Sequence, residues 1–395
     1  MRQRVLRLMV GFSVLSLGCT QSQSAVQPRG DASSDAAFPR GRPPAPRRDP
    51  VVLRPVRPPG GISAGYHDYD AMTAALHELV DAAGGRATLT SIAKSHDGRD
   101  VWALELSAEG DTPPAQRQGI LLVGGVDADH PAGSETALNV ARELVRSLAE
   151  FPEGDVACVL AERVFYILPR VNPDGVERFF SPIRHASRLA SRPIDADRDG
   201  ASDEDGPNDL NGDGQISVMR VRDPEGKWMV DPDEPRLMRK ADRSKNERGV
   251  YKLMLEGIDD DSDGAINEDP PGGVDHDRNW PHLFESGTLE AGVHQLSEPE
   301  NRALIDYIDQ HSNIVAAIVY GRHDNIVKPP KGKERGPAGQ AYKDLHPDDA
   351  KQYEFISKKY KKITGLEGSA GSKPAGAFYS WLYAQRGVTT FATSL

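Results

Sequence analysis

From Tyr66 onward the chain switches between two hydrophobic periods. Met72, Leu76, Leu79 and Val80 recur at helical spacing, and Gly84-Gly85 ends the run. Strand-like runs follow at Ala87–Ile92, Val101–Leu106 and Ile120–Val123. Glu135 is expected to open a second helix, with Leu138, Ala141, Leu144, Val145 and Leu148 on one face. Val164–Leu168 reads as another short strand. Ser297 and Glu300 have the spacing of a capping box, and Leu304, Ile305 and Ile308 follow them. Asn313–Tyr320 is an apolar strand, Tyr353–Ile363 and Phe378–Gln385 are helical, and Val388–Leu395 is a closing strand. Strands alternating with helices predict an α/β domain: a mixed, mostly parallel sheet flanked by helices. In such sheets ligands bind beyond the carboxyl ends of the strands.

The stretch before Tyr66 has neither period. Arg2, Arg4 and Arg7 form a basic start, and Leu8 to Leu17 is apolar but shorter than the ~20 residues of a spanning helix. Leu15-Ser-Leu-Gly-Cys19 resembles the lipobox of bacterial lipoproteins, with Ser16 where that box usually has Leu. The resemblance implies a signal peptide over 1–19 and lipidation of Cys19. The protein is then expected to be exported, either anchored in the cell-envelope membrane by its lipid or secreted. Residues 20–62 hold nine prolines, seven arginines and three aspartates with no apolar period, which predicts a disordered, extended tether. Cys158 lies in the apolar stretch Val156–Val164 and reads as a small buried hydrophobe.

Composition narrows the function. The net charge is −11, whereas a nucleic-acid binder needs a basic stripe to displace counterions, so no nucleic acid is expected as a partner. The 38% hydrophobic fraction is enough for a core. Two cysteines exclude a disulfide scaffold and a four-cysteine zinc site.

The alternation breaks between residues 183 and 273, an acidic, loop-rich insertion with an internal repeat. Asp195-Ala-Asp-Arg-Asp-Gly-Ala-Ser-Asp-Glu-Asp205 aligns with Asp259-Asp-Asp-Ser-Asp-Gly-Ala-Ile-Asn-Glu-Asp269, and Asp209-Leu-Asn-Gly-Asp-Gly214 is a third element. Oxygen ligands at positions 1, 3 and 5 with glycine at 6 make the first half of a calcium loop, because alternate side chains converge on a hard cation. The candidate calcium ligands are Asp195, Asp197, Asp199, Asp203 and Asp205, then Asp209, Asn211 and Asp213, then Asp259, Asp261, Asp263, Asn267, Glu268 and Asp269. Position 12 is Gly206, Arg220 or Pro270 and never Glu, so these are not EF-hands. They look more like thrombospondin type 3 or dockerin-like calcium loops, closed by Glu204, Asp205, Glu268 or Asp269.

Five short motifs remain. Ser95-His-Asp-Gly-Arg99 follows the first strand; Gly124-Gly-Val-Asp127-Ala-Asp-His130-Pro-Ala-Gly133 joins a strand to a helix; Arg170-Val-Asn172-Pro-Asp-Gly175 follows another strand. Gly273-Val-Asp-His-Asp277-Arg278-Asn279-Trp280-Pro follows the insert, and Ser297-Glu-Pro-Glu300 precedes a helix. Their order and spacing resemble the zinc carboxypeptidase family (carboxypeptidase A-like metallopeptidases) over about residues 66–395. The resemblance implies a carboxypeptidase-like α/β domain over 63–395, zinc as cofactor, and hydrolysis of C-terminal residues from peptides.

The family pattern departs where the chemistry sits. Members bind zinc with His-x-x-Glu and a later His, and a Glu near the C-terminus is the general base; the chemistry needs three ligands, an open water position and a carboxylate to take its proton. Here the pair is Asp127-x-x-His130, Tyr320 stands at the third ligand, His323 lies three residues on, and Ser394 replaces the Glu. Ser394 cannot act as general base at neutral pH, and losing such a group costs ~10²–10⁴ in rate. The chain also stops at Leu395, where the family usually continues into another helix. In the family an Asn-Arg pair grips the terminal carboxylate of the peptide; here it is Asp277-Arg278. Arg184, Arg188 and Tyr379 are candidates for the family's oxyanion Arg and mobile Tyr. Three readings stay open: a monomeric pseudoenzyme that binds peptide or protein C-termini or is structural, an active metallohydrolase using Asp127, His130 and His323, and a calcium-stabilised surface spacer.

Overall fold

A computed structural model of the chain describes residues 65–195, 198–270, 272–332, 344–366 and 374–394. The signal and tether segments with Cys19, residues 63–64, Asp197 and Leu395 lie outside them.

The first helix, α1 (Tyr69–Ala83), is closed at both ends by local chemistry. Asp68 accepts a hydrogen bond from the Ala71 amide, and Gly84 ends the helix in the left-handed region at φ 59°. Strands β1 (Ala87–Lys94) and β2 (Asp100–Leu106) form a hairpin, and β3 (Gln118–Gly124) leads into α2 (Pro131–Glu150). Helix α2 starts four residues before the Glu135 expected from periodicity, because Pro131 occupies the first helical position, where its missing N–H costs nothing. Helix α3 (Asp155–Glu162) carries Cys158, which is half-exposed and not the buried residue its apolar neighbours implied. Strand β4 (Arg163–Leu168) and the one-turn helix α4 (Pro173–Glu177) follow.

After the insertion, α5 (Pro299–Gln310), β9 (Ile314–Tyr320), α6 (Ala350–Thr364), α7 (Phe378–Arg386) and β10 (Thr389–Thr393) complete the domain. Its sheet runs β1-β2-β4-β3-β9-β10. The β3–β4, β3–β9 and β9–β10 pairings are parallel, while β1–β2 and β2–β4 are antiparallel. The mixed, mostly parallel sheet flanked by helices is therefore present. One face packs on α1, α2, α3 and α6 through Leu76, Leu138, Leu144 and Tyr360. The other packs on α5 and α7 through Leu304, Phe378, Trp381 and Trp280. Two buried faces explain the unbroken apolar runs of β3, β4 and β9.

Two sequence expectations are corrected here. The capping box is absent: the cap of α5 is Glu298, not Ser297, with no side-chain capping bond. Ser297 instead donates to Glu298 Oε1 and accepts from Asn279 Nδ2, so tertiary partners outcompete the local cap. The insertion is not all loop. β5 (Val218–Arg222), β6 (Trp228–Val230), β7 (Met238–Lys240) and β8 (Tyr251–Leu255) form an antiparallel sheet in the order β5-β8-β6-β7.

Candidate active site

The carboxyl ends of β3, β9 and β10 meet at one edge of the sheet, and the loops that leave them carry the motif residues. Asp127, three residues beyond β3, is buried. Its Oδ2 accepts the Arg322 backbone N–H at 2.9 Å, and its Oδ1 lies 3.0 Å from Arg322 Nε. The Arg322 Nη2 also reaches both oxygens of Asp129, at 3.1 and 2.9 Å. Gly321 makes this approach possible, since a Cβ there would run into Asp127 Oδ2.

The predicted residues are drawn into separate contacts. His130 pairs through Nδ1 with Asp129 at 3.0 Å and is partly exposed. His323 Nε2 lies 2.7 Å from Asp277 Oδ2, and its ring packs on Tyr379 with centroids 5.0 Å apart. The Phe378 amide donates to the other Asp277 oxygen at 2.8 Å. Asp277 and Arg278 therefore do not satisfy each other; Arg278 pairs with Glu285 at 2.7 Å and with Glu290. Arg188 lies 3.3 Å from Asp275, whereas Arg184 forms a backbone bridge with Gln215 in the insertion. Tyr320 is fully buried, and burial pushes its phenol well above its ordinary value. Ser394 is half-buried at the end of β10.

Electrostatics follow from crowding. Burial, reinforced by Asp277, pushes Asp127 up to about 7, with His323 and Arg322 pulling the other way. Asp275 is pushed up to about 6 for the same reasons, burial first and Asp277 second. His323 is raised despite its burial, because Asp277 favours the imidazolium. The cluster sets Asp127, Asp129, Asp275 and Asp277 against Arg322, Arg188, His130 and His323, and Asp127 and Asp275 still stay above the usual carboxylate range.

In the insertion the two aligned loops lie face to face. Asp205 and Asp269 form an antiparallel bridge. Asp205 accepts the amides of Asp260 and Asn267 at 3.1 and 2.7 Å, and Asp269 accepts that of Asp203 at 3.0 Å. Asp195, Asp199, Asp209, Asn211, Asp259, Asp261 and Asp263 each accept amides of their own loop, such as Gly214 to Asp209 at 2.8 Å and Gly264 to Asp259 at 3.1 Å. Asp213 accepts the Gln215 amide and Asn267 donates to the Leu255 carbonyl. Glu204 and Glu268 differ: their carboxylate oxygens are buried with no hydrogen-bond partner. Local desolvation, with Asp269 and Asp199 alongside, pushes Glu204 up to about 7; Glu268 is raised to about 7 by desolvation with Asp205 beside it. Oxygen atoms of Asp199, Glu204 and Asp261 lie within 4.8 Å of one another, as do those of Asp209, Asp213 and Glu256 and those of Asp259, Asp261 and Asp263.

The sequence model of the zinc carboxypeptidases matches residues 72–394 of the chain. The chain belongs to the zinc carboxypeptidase family. Among curated members, mouse carboxypeptidase D is 33% identical over 134 residues, covering 29% of this chain and 10% of that protein. A zinc carboxypeptidase of Saccharothrix mutabilis subsp. capreolus is 30% identical over 121 residues, covering 30% of this chain and 26% of its own. The chain thus spans well under half the length of the curated relatives it matches. The solved carboxypeptidase A of Helicoverpa armigera aligns over 84% of this chain and 64% of its own at 15% identity, with a TM-score of 0.47.

The family uses zinc, and whether these residues could hold it is a question of donors. Among the described residues, Asp127, His130 and His323 do not gather into a set with donor atoms within 4.8 Å of one another. Each already has a side-chain or guanidinium partner, and beside Asp127 stands a permanent cation, Arg322. A buried phenol held protonated is no replacement for a neutral imidazole. The residues at the family's zinc positions do not fit the metal. Arg322, Asp129 and Asp275 were missed from sequence, although Arg322 lies between the two positions weighed as ligands, Tyr320 and His323.

Proposed function

We propose that this domain is a non-hydrolytic zinc-carboxypeptidase-family member that acts in peptide binding or as a structural element of the cell envelope. The observation that carries this reading is the Arg322 guanidinium bridging Asp127 and Asp129. A cation that keeps its charge stands beside the first zinc position, and no carboxylate stands at the general-base position, where Ser394 offers only a hydroxyl. The Arg278 fork is engaged by Glu285 and Glu290, so a peptide carboxylate must compete with two resident ones. The active alternative needs Asp127, His130 and His323 to release three separate partners before they could share a metal.

Two further features belong to the reading. Calcium binds the insertion: Glu204 and Glu268 supply buried oxygens without hydrogen-bond partners, while Asp205 and Asp269 hold the two loops together. The Leu15–Cys19 motif directs export and lipid anchoring, and the tether holds a monomeric domain off the membrane.

The test passes a library of peptides with free and amidated C-termini over immobilised protein and reads bound and released species by mass spectrometry. Retention without shortening is expected of a peptide binder, and neither retention nor shortening of a structural element. Stepwise loss of C-terminal residues would overturn the reading.

A further inference from the structure

Three stretches far apart in sequence meet around a second polar cluster that includes His276. The turn after β1 brings His96. The one-turn segment after the insertion brings His276. The start of α5 brings Glu298 at the cap and Glu300 in the first turn. Glu298, Glu300 and His276 have relative exposures of 0%, 1% and 0%.

The contacts are incomplete in a specific way. His96 Nε2 lies 3.2 Å from Glu298 Oε2, and His276 Nε2 lies 3.3 Å from Glu300 Oε2. Donor atoms of His96, Glu298 and Glu300 all lie within 4.8 Å of one another. Yet the His276 Nε2–Glu300 Oε2 ion pair lacks hydrogen-bond geometry, and His276 Nδ1 makes no hydrogen bond. Polar atoms this deeply buried are nearly always paired, because desolvation without a partner is costly. The opposite oxygen of Glu298 is already used: Arg192 Nη1 lies 3.1 Å from Oε1, and Ser297 Oγ donates to it at 2.8 Å. That leaves Oε2 turned toward the cluster. The Asn301 amide, which donates to the His276 carbonyl at 3.1 Å, holds the backbone of the imidazole in place.

We propose that His96, His276, Glu298 and Glu300 form a binding site for one zinc-class divalent cation, separate from the family's zinc position. His96, Glu298 and Glu300 already share one space, and His276, 3.3 Å from Glu300, completes a two-imidazole, two-carboxylate set suited to a borderline metal once its ring turns toward the other donors; a closed four-ligand site is structural rather than catalytic. Two carboxylates against Arg192 leave one net negative charge for a dication to meet. The His96 side chain is 27% exposed and supplies the way in from solvent. The metal ties the β1–β2 hairpin to the start of α5 and to the segment carrying Asp277 and Arg278. The site is independent of whether the ion-pair cluster hydrolyses anything.

The full chain, stripped with chelator and kept in millimolar calcium to saturate the acidic loops, is titrated with zinc and separately with cobalt(II). One equivalent of zinc is expected, with a raised melting temperature and the intense visible bands of four-coordinate cobalt. His96→Gln removes the imidazole beside the buried Glu298 and should lower the melting temperature of the stripped protein, so zinc affinity and the zinc-dependent rise are the readouts. It should weaken zinc binding by at least the ~10–100-fold seen on losing even an outer-shell partner. Glu300→Gln should abolish the cobalt bands. Zinc binding unaffected by His96→Gln and Glu300→Gln, or no zinc-dependent rise in melting temperature, overturns the proposal and leaves the cluster as buried His–Glu ion pairs.

Discussion

Arg322 bridges Asp127 and Asp129, and Arg322→Ala is the perturbation that weighs that bridge. The substitution keeps the backbone N–H that binds Asp127 Oδ2 at 2.9 Å but removes the guanidinium 3.0 Å from Oδ1. Asp129 loses its contacts at 3.1 and 2.9 Å and keeps His130. Breaking a fully buried pair costs ~3–5 kcal/mol. The Arg322 side chain is 27% exposed, so solvent screens part of its contribution, and about 1–3 kcal/mol is the reasonable range. For a domain this large that is a fall of roughly 2–8 °C in Tm. The effect depends on pH with a definite sign. Asp127 has a folded pKa of about 7, above its unfolded value of ~3.9. Its proton stabilises the fold fully below ~4, and that contribution is lost as pH rises through about 7. Arg322→Ala should therefore cost more at pH 8, where a buried carboxylate is left unpaired, than at pH 5, where Asp127 is protonated. Denaturant unfolding of wild type, Arg322→Ala, Asp127→Asn and the double variant at both pH values gives the coupling, expected at ~1–2 kcal/mol at pH 8. A double-variant loss equal to the sum of the single losses at pH 8 would refute the reasoning.

Three other expectations concern the insertion, Gly321 and the amino-terminal motif. Calcium removal by chelator should lower Tm, since a ligand at a hundredfold excess over Kd contributes about 2.7 kcal/mol, and Glu204→Gln with Glu268→Gln should blunt that response in a melting assay. Gly321→Ala should destabilise by ~1–3 kcal/mol in denaturant unfolding, because its Cβ meets Asp127 Oδ2. Cys19→Ala should move the protein from the membrane fraction to the soluble one, with intact mass showing lipid on the wild type only; equal partition would sink the anchor.

Periodicity carried the main sheet. Strands β3, β4 and β9 are buried on both faces, so their apolar runs are continuous and easy to read. The second sheet was illegible because its strands are only three to five residues long, too short to establish a period, and three of the four are broken by Arg or Lys, as in Met238-Arg-Lys240. Pro131-Ala-Gly133 looked like a loop, although proline is at home in a first helical turn. Ser297 and Glu300 had the right spacing for a cap, but tertiary partners claimed both. The motifs fall where the topology puts strand ends: Tyr320 closes β9, Ser394 follows β10 and Asp127 lies three residues beyond β3. They could not assign partners: His323 meets Asp277, 46 positions away, and His96 meets Glu298 across 202 positions. Only the folded topology brings such pairs together.

The central claim, a carboxypeptidase fold without hydrolysis, is tested most directly by turnover. The full chain, loaded with zinc and calcium, is incubated with peptides bearing free C-termini, and single-residue release is followed by mass spectrometry with and without chelator. The account predicts no release above the protein-free control at any pH between 5 and 9. Chelator-sensitive release that disappears in His130→Ala would contradict it, and would make Asp127, His130 and His323 a working metal set.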